Sequence, residues 1–198
     1  MARPPADPPQ TGFEPLWNQA SGIWEARESH PAFEGYVSAD YYAVYRALKK
    51  FRKRCSTFLE WGSGLGVVTI MAAQMGFEAY GIEIEPELVE HACALAECFG
   101  SDATFACGSF IPGDYKEQSS SGEEFHRTIC DAVPAYHEID MELRDFDLVY
   151  AYPWPDEHLV FRSIMRRCGA PHATLICYDA REGISATMPA KRRVRARD

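Results

Sequence analysis

Three glycines and two acids carry the first chemical signal in this chain. Within FLEWGSGLGVVTI (58–70), Gly62, Gly64 and Gly66 are spaced G-x-G-x-G behind an apolar run, and an apolar, helix-compatible segment follows. A glycine-rich turn between a strand and a helix presents backbone N–H groups to an anion. Yet an acid, Glu60, stands two residues ahead of the first glycine, and a second, Glu83, stands seventeen residues beyond the last, at the end of EAYGIEI. A third patch, Tyr152-Pro153-Trp154-Pro155, closes the apolar run FDLVYAY. Two prolines and two aromatics at such an edge build a rigid wall suited to stacking a planar or aliphatic group.

The acids decide which anion the turn accepts. A dinucleotide fingerprint wants G-x-G-x-x-G/A, and its third position here is Val67, too bulky for close helix–strand packing. Glu60 would also repel a pyrophosphate. No G-K-[ST] follows, so the turn is not a P-loop. A ligand that tolerates both features has a cationic centre and a small anion at one end and a ribose at the other. S-adenosylmethionine has that layout: its carboxylate suits the turn, its ammonium and sulfonium suit Glu60, and its ribose hydroxyls suit Glu83.

These groups need strands to position them. Short β-like runs occur at 57–61, 78–84, 103–107, 146–152 and 173–178, with helical stretches near 65–75, 86–99 and 156–168. Near-continuous apolar strands separated by helices predict a parallel sheet covered on both faces. Upstream, SADYYAVYRALKKF predicts a helix capped by Ser38 or Asp40. Residues 1–15 carry five prolines and are expected to form a disordered arm. The aromatics Phe13, Trp17, Trp24 and Phe33 are too frequent for a linker, and their segment is expected to pack as a lid or flank. Residues 109–145 break the alternation as an insertion or lid, with a short helix near FHRTICDAV; the domain spans 16–185 and a basic tail 186–198.

FLEWGSGLG followed by GIEIEPELVEHA resembles motif I and the following acidic motif of the class I S-adenosylmethionine-dependent methyltransferases, over roughly residues 36–179. The resemblance implies an α/β Rossmann-like three-layer sandwich with strand order 3-2-1-4-5. Only nineteen residues follow LICYD, so the C-terminal edge is expected to be shortened, with at most one extra strand from ISATM. It further implies that Glu60, Gly62, Ser63, Gly64 and Gly66 hold the methionine end and Glu83 the ribose. Ile84, Gly108 and Ser109 complete the cofactor set, Ser109 standing where the family often has an Asp beside the adenine. Amino-methylating relatives carry [D/N]-P-P-[Y/F] where this chain has Tyr152-Pro153-Trp154-Pro155, and tRNA guanine-N7 methyltransferases carry P-D-P-W-P. The P-W-P is shared and the acid is missing. Tyr152, Pro153 and Trp154 are therefore expected to orient the acceptor for direct in-line transfer, without a dedicated base.

Composition narrows the setting. The 198 residues are 46% hydrophobic with a net charge of −9, which supplies no overall pull toward nucleic acid or anionic membrane. The tail AKRRVRARD is +4 against −13 for the rest. Seven cysteines without a C-x-x-C pair suggest neither a disulfide framework nor a zinc cluster, and no metal is expected. No secretory signal and no apolar run of spanning length is visible, so a reduced cytoplasmic setting is expected. Protein side chains or small molecules are favoured as acceptors over nucleic acid. A nicotinamide-dependent oxidoreductase and a cofactor-binding interaction protein without turnover are the competing classes.

Overall fold

The computed structural model describes residues 11–115, 132–155 and 157–188. Six strands, β1 (Thr57–Trp61), β2 (Glu78–Glu83), β3 (Thr104–Cys107), β4 (Leu148–Ala151), β5 (Thr174–Asp179) and β6 (Gly183–Thr187), form one sheet in the order β3-β2-β1-β4-β5-β6. β1 to β5 run parallel, with Phe58 opposite Ala79 on one side and Leu148 on the other. β6 returns antiparallel, placing Ser185 opposite Cys177.

Side-chain alternation along the strands divides the core into two faces. Phe58, Leu148, Tyr150 and Ile176 face α1 (Glu14–Arg27), α2 (Tyr41–Phe51), α3 (Val67–Gln74) and α4 (Pro86–Cys98). Leu59, Val149, Leu175 and Cys177 face α5 (His158–Cys168) and the 3-10 turns Ala135–Ile139 and Leu143–Asp145. Each fully buried Leu or Phe stabilises this arrangement by about 1.5–3 kcal/mol. Local signals set the helix starts. The Asp40 carboxylate accepts the Ala43 N–H at 2.9 Å and caps α2, while Pro86 opens α4 at a position that needs no N–H.

Strand order 3-2-1-4-5 with one added edge strand matches the expectation, and the departures have local causes. Helix α1 begins at Glu14, inside the stretch expected to be a disordered arm, because the Glu14 carboxylate accepts the N–H groups of Thr11 (2.6 Å) and Gly12 (2.8 Å) and fixes the entry. The run 146–152 yields strand only over Leu148–Ala151. Asp147 instead turns its carboxylate to the N–H groups of Ser56 (2.7 Å) and Thr57 (3.2 Å), fastening the start of β1. β6 takes the first residues of the expected basic tail, whose positions 189–198 lie outside the described residues. The helix expected at FHRTICDAV also falls almost wholly outside them.

Left bare, β5 would be an exposed edge; β6 covers it, and the aromatic segment 13–33 does not. That segment forms α1 and lies across α3, with Trp17 Nε1–H directed at the Met71 sulfur at 3.1 Å.

Candidate functional site

All five parallel strands end on the same side of the molecule, and the residues singled out by sequence gather there. β1 delivers Glu60 and the glycine turn, β2 delivers Glu83 and Ile84, β3 delivers Gly108 and Ser109, and β4 delivers Tyr152-Pro153-Trp154. Open parallel sheets bind ligands at this carboxyl end.

The glycine turn needs its glycines. Gly62, Gly64 and Gly66 have φ of 68°, 52° and 71°, a region that L side chains rarely enter. Space forbids a side chain at two of them as well: a Cβ on Gly64 would come within 2.5 Å of the Tyr36 ring, and one on Gly66 equally close to Phe105. The N–H groups of Gly62 and Ser63 donate to the Ile82 carbonyl at 2.9 and 3.0 Å, clamping β1 to β2. The Ser63 hydroxyl oxygen is buried without a hydrogen-bond partner. A buried unpaired hydroxyl is costly, and its presence beside a built turn points to a missing partner.

Both acids are buried and both are tied to the turn. Glu60, 5% exposed, accepts the N–H (2.9 Å) and the hydroxyl (2.6 Å) of Thr69 in the first turn of α3. Burial pushes its carboxyl up to about 8; the Thr69 bonds pull the other way, and the Glu83 charge adds to the rise. Glu83, 9% exposed, accepts from Gly64 N–H at 2.8 Å, Ile84 N–H at 2.8 Å and Glu85 N–H at 3.1 Å. Burial raises its carboxyl despite those three donors.

Tyrosines close around Glu60. Tyr36 lies against Gly64 and shares a 3.1 Å hydrogen bond with the Tyr41 hydroxyl. Tyr150, beside Glu60 on the sheet, is 2% exposed and its hydroxyl has no partner. Burial raises all three phenols, and the Glu60 charge contributes to each. Tyr152 packs edge-on against Tyr178 at 4.8 Å, Pro153 is buried, and the Trp154 ring passes 3.4 Å from where a Cβ on Gly35 would lie.

Several expected roles are used differently here. The Ser109 hydroxyl accepts the Ile111 N–H at 3.1 Å, and its backbone pairs with Val133 and Ala135, so it fastens the chain after β3. Gly108 leaves room for the Val133 carbonyl, which a Cβ would meet at 2.7 Å. Ile84 is 37% exposed, an apolar side chain offered to solvent next to Glu83. Sequence reasoning missed Tyr36, Thr69 and Tyr150. Thr69 had a signal available, a hydroxyl in the first turn of the helix that follows an acid-flanked glycine turn. Tyr36 and Tyr150 had none, because their positions depend on how the chain folds over the sheet. Among the described residues, no group of three or more His, Cys, Asp or Glu side chains is arranged to hold a metal ion. No described helix is long and apolar enough to cross a membrane.

No protein-family model and no curated protein matches the sequence. Solved structures do match. A methyltransferase from Geobacter sulfurreducens superposes with a TM-score of 0.56 at 16% identity, over 84% of this chain and 73% of its own. An RNA methyltransferase from Salinibacter ruber, in complex with S-adenosyl-L-homocysteine, superposes at 0.51 with 21% identity, over 72% and 78%. The fold is the Rossmann-like fold of class I methyltransferases.

Proposed function

We propose that this chain is an S-adenosylmethionine-dependent methyltransferase. One observation carries the reading: two buried acids flank a positive-φ glycine turn whose Ser63 hydroxyl lacks a partner, at the carboxyl ends of adjacent parallel strands. The fold it shares with known methyltransferases supports the same reading.

Glu60 and the turn residues Gly62, Ser63, Gly64 and Gly66 would hold the methionine end, Ser63 gaining the partner it lacks. Glu83 would accept the ribose hydroxyls, and the exposed Ile84 would offer the adenine an apolar face, with Gly108 and Ser109 shaping the pocket floor. When bound, the cofactor supplies a methyl group on a sulfonium centre, ready for displacement. Glu60 faces that positive charge and is stabilised by it in its ionised form. Tyr152, Pro153 and Trp154 form the wall that orients the acceptor, and the Tyr36 segment excludes water from above. Transfer assisted in this way relies on proximity, orientation and desolvation.

We take the acceptor to be a small molecule or a protein side chain, given the acidic body of the chain. The six described cysteines are unpaired, which suits a reducing, cytoplasmic setting. The test is calorimetric titration with S-adenosylmethionine, followed by transfer from tritiated cofactor into the protein, RNA and small-molecule fractions of a cell extract. Saturable binding with label in one fraction supports the reading. A folded protein that does not bind the cofactor ends it. Binding without transfer favours an interaction protein, and label in RNA overturns the assignment of the acceptor.

A further inference from the structure

The far rim of this site carries a pair that the reading above does not use. His158 opens α5, and Asp179 ends β5. The His158 Nε2 lies 3.4 Å from Asp179 Oδ2, and both side chains are about a quarter exposed. The other carboxylate oxygen, Oδ1, accepts the N–H groups of Arg181 (2.7 Å) and Glu182 (2.9 Å). Those bonds, with the His158 contact, hold the Asp179 carboxyl below its ordinary range. Asp179 is therefore fixed at both oxygens. It orients the imidazole with Nε2–H toward the carboxylate and leaves Nδ1, which has no partner among the described residues, to accept a proton.

Position gives the pair its meaning. Tyr152 packs edge-on against Tyr178, the residue before Asp179, and the Asp179 charge contributes to raising the Tyr152 phenol. The imidazole thus stands at the rim of the Tyr152-Pro153-Trp154 wall. That wall has Tyr152 where amine-methylating relatives carry an acid, so no carboxylate is placed there to grip an N–H of an amine acceptor. A hydroxyl acceptor has the opposite need, since its proton must leave as the C–O bond forms.

We infer that His158 is the general base of this enzyme, that Asp179 is its positioning residue, and that the acceptor presents a hydroxyl group. This rests on the methyltransferase reading. In the step, a lone pair of the acceptor oxygen forms the new C–O bond as the S–C bond of the sulfonium breaks. The sulfur keeps that bonding pair as a neutral thioether, and the hydroxyl proton passes to His158 Nδ1. Around the pair lie Tyr152 from the end of β4, Glu157 and Arg162 from the start of α5, and Arg181 and Glu182 from the turn after β5.

The test uses the full chain, tritiated S-adenosylmethionine and the small-molecule fraction of a cell extract, with products identified by mass spectrometry. His158→Ala is expected to keep calorimetric cofactor binding and the melting temperature, lose roughly 100-fold or more of the transfer rate, and recover part of it with added imidazole. Asp179→Asn is expected to move the acidic limb of the pH–rate profile to lower pH, because removing the carboxylate charge lets the imidazole stay neutral in more acid solution. O-methylated products complete the support. An undiminished rate in His158→Ala, an N-methylated product, or a loss that imidazole does not relieve overturns the base while leaving the methyltransferase reading intact. A wild-type protein that neither binds the cofactor nor transfers label overturns both.

Discussion

Replacing Glu60 with glutamine should abolish a pH dependence of stability that the wild-type protein carries. In the unfolded chain this carboxyl titrates near its ordinary 4.5, and in the folded protein at about 8. Between those values the folded state holds a proton that the unfolded state has released. Stability from this group is therefore fully present below 4.5, falls as pH rises, and levels off above 8. Each pH unit between the two titrations is worth about 1.4 kcal/mol, so the loss between about pH 5 and pH 8.5 comes to about 3–4 kcal/mol. The glutamine amide keeps an oxygen for the Thr69 N–H and hydroxyl, and whatever the amide costs does not vary with pH. The diagnostic is thus the change with pH in the stability difference between Glu60→Gln and wild type, read from urea unfolding at several pH values. Cofactor binding should show the same proton. At neutral pH, S-adenosylmethionine is expected to displace it, so affinity rises with pH in the wild type and not in the variant. Parallel stability curves for the two proteins would refute the reasoning, since Glu60 would then be ionised in the folded state despite its burial.

Glu83→Ala is expected to weaken S-adenosylmethionine binding by about 10- to 100-fold in calorimetry, the worth of a charge-assisted hydrogen bond. Unchanged affinity in a folded variant would remove Glu83 from the site. Gly64→Ala should lose cofactor binding and displace the Tyr36 ring, which a Cβ would meet at 2.5 Å. Adding Tyr36→Ala should restore part of the stability by relieving that overlap, leaving only the cost of φ 52°; no recovery would show that the backbone angle dominates. Removing Gly183 onward bares the edge of β5, and concentration-dependent aggregation in light scattering is the expected result. A variant that stays monomeric and soluble would mean that β5 does not depend on β6 for cover.

Much of the fold was legible in the sequence because the signals were local and repeated. Five apolar runs separated by helical periods gave the parallel sheet, and Asp40 and Pro86 marked helix starts by chemistry that acts within one turn. Strand ends were less legible. Phe146 and Asp147 read as strand by composition, yet Asp147 serves better as a carboxylate for the Ser56 and Thr57 N–H groups. Nor does anything in the hydrophobic pattern distinguish an aromatic segment that caps the binding edge from one that flanks a helix. Trp17 packs on α3 and Tyr36 on the glycine turn, and both are simply aromatic residues before α2. The site divided along the same line. Glycines and acids at fixed spacing were visible, whereas the tyrosines around Glu60 and the His158–Asp179 pair come from distant stretches of chain brought together by the sheet.

The same geometry explains why two acids were readable as a ligand site although each has protein partners. Hydrogen bonds from Thr69 to Glu60 and from Gly64, Ile84 and Glu85 to Glu83 satisfy the carboxylates locally. They do not offset burial, since both carboxyls stay above their ordinary range and the charge on Glu83 further disfavours the charge on Glu60. If the two groups served only to close the turn, a neutral glutamine at either position would make the same bonds without opposing charge. Two mutually repelling buried acids are a cost to the fold that a cation beside them would relieve. Among the described residues the neighbours of Glu60 supply no such cation; they are Thr69 and the phenols of Tyr36, Tyr41 and Tyr150. The positive charge that balances Glu60 must then arrive with a ligand, and the glycine turn beside it selects one that carries a small anion at the same end.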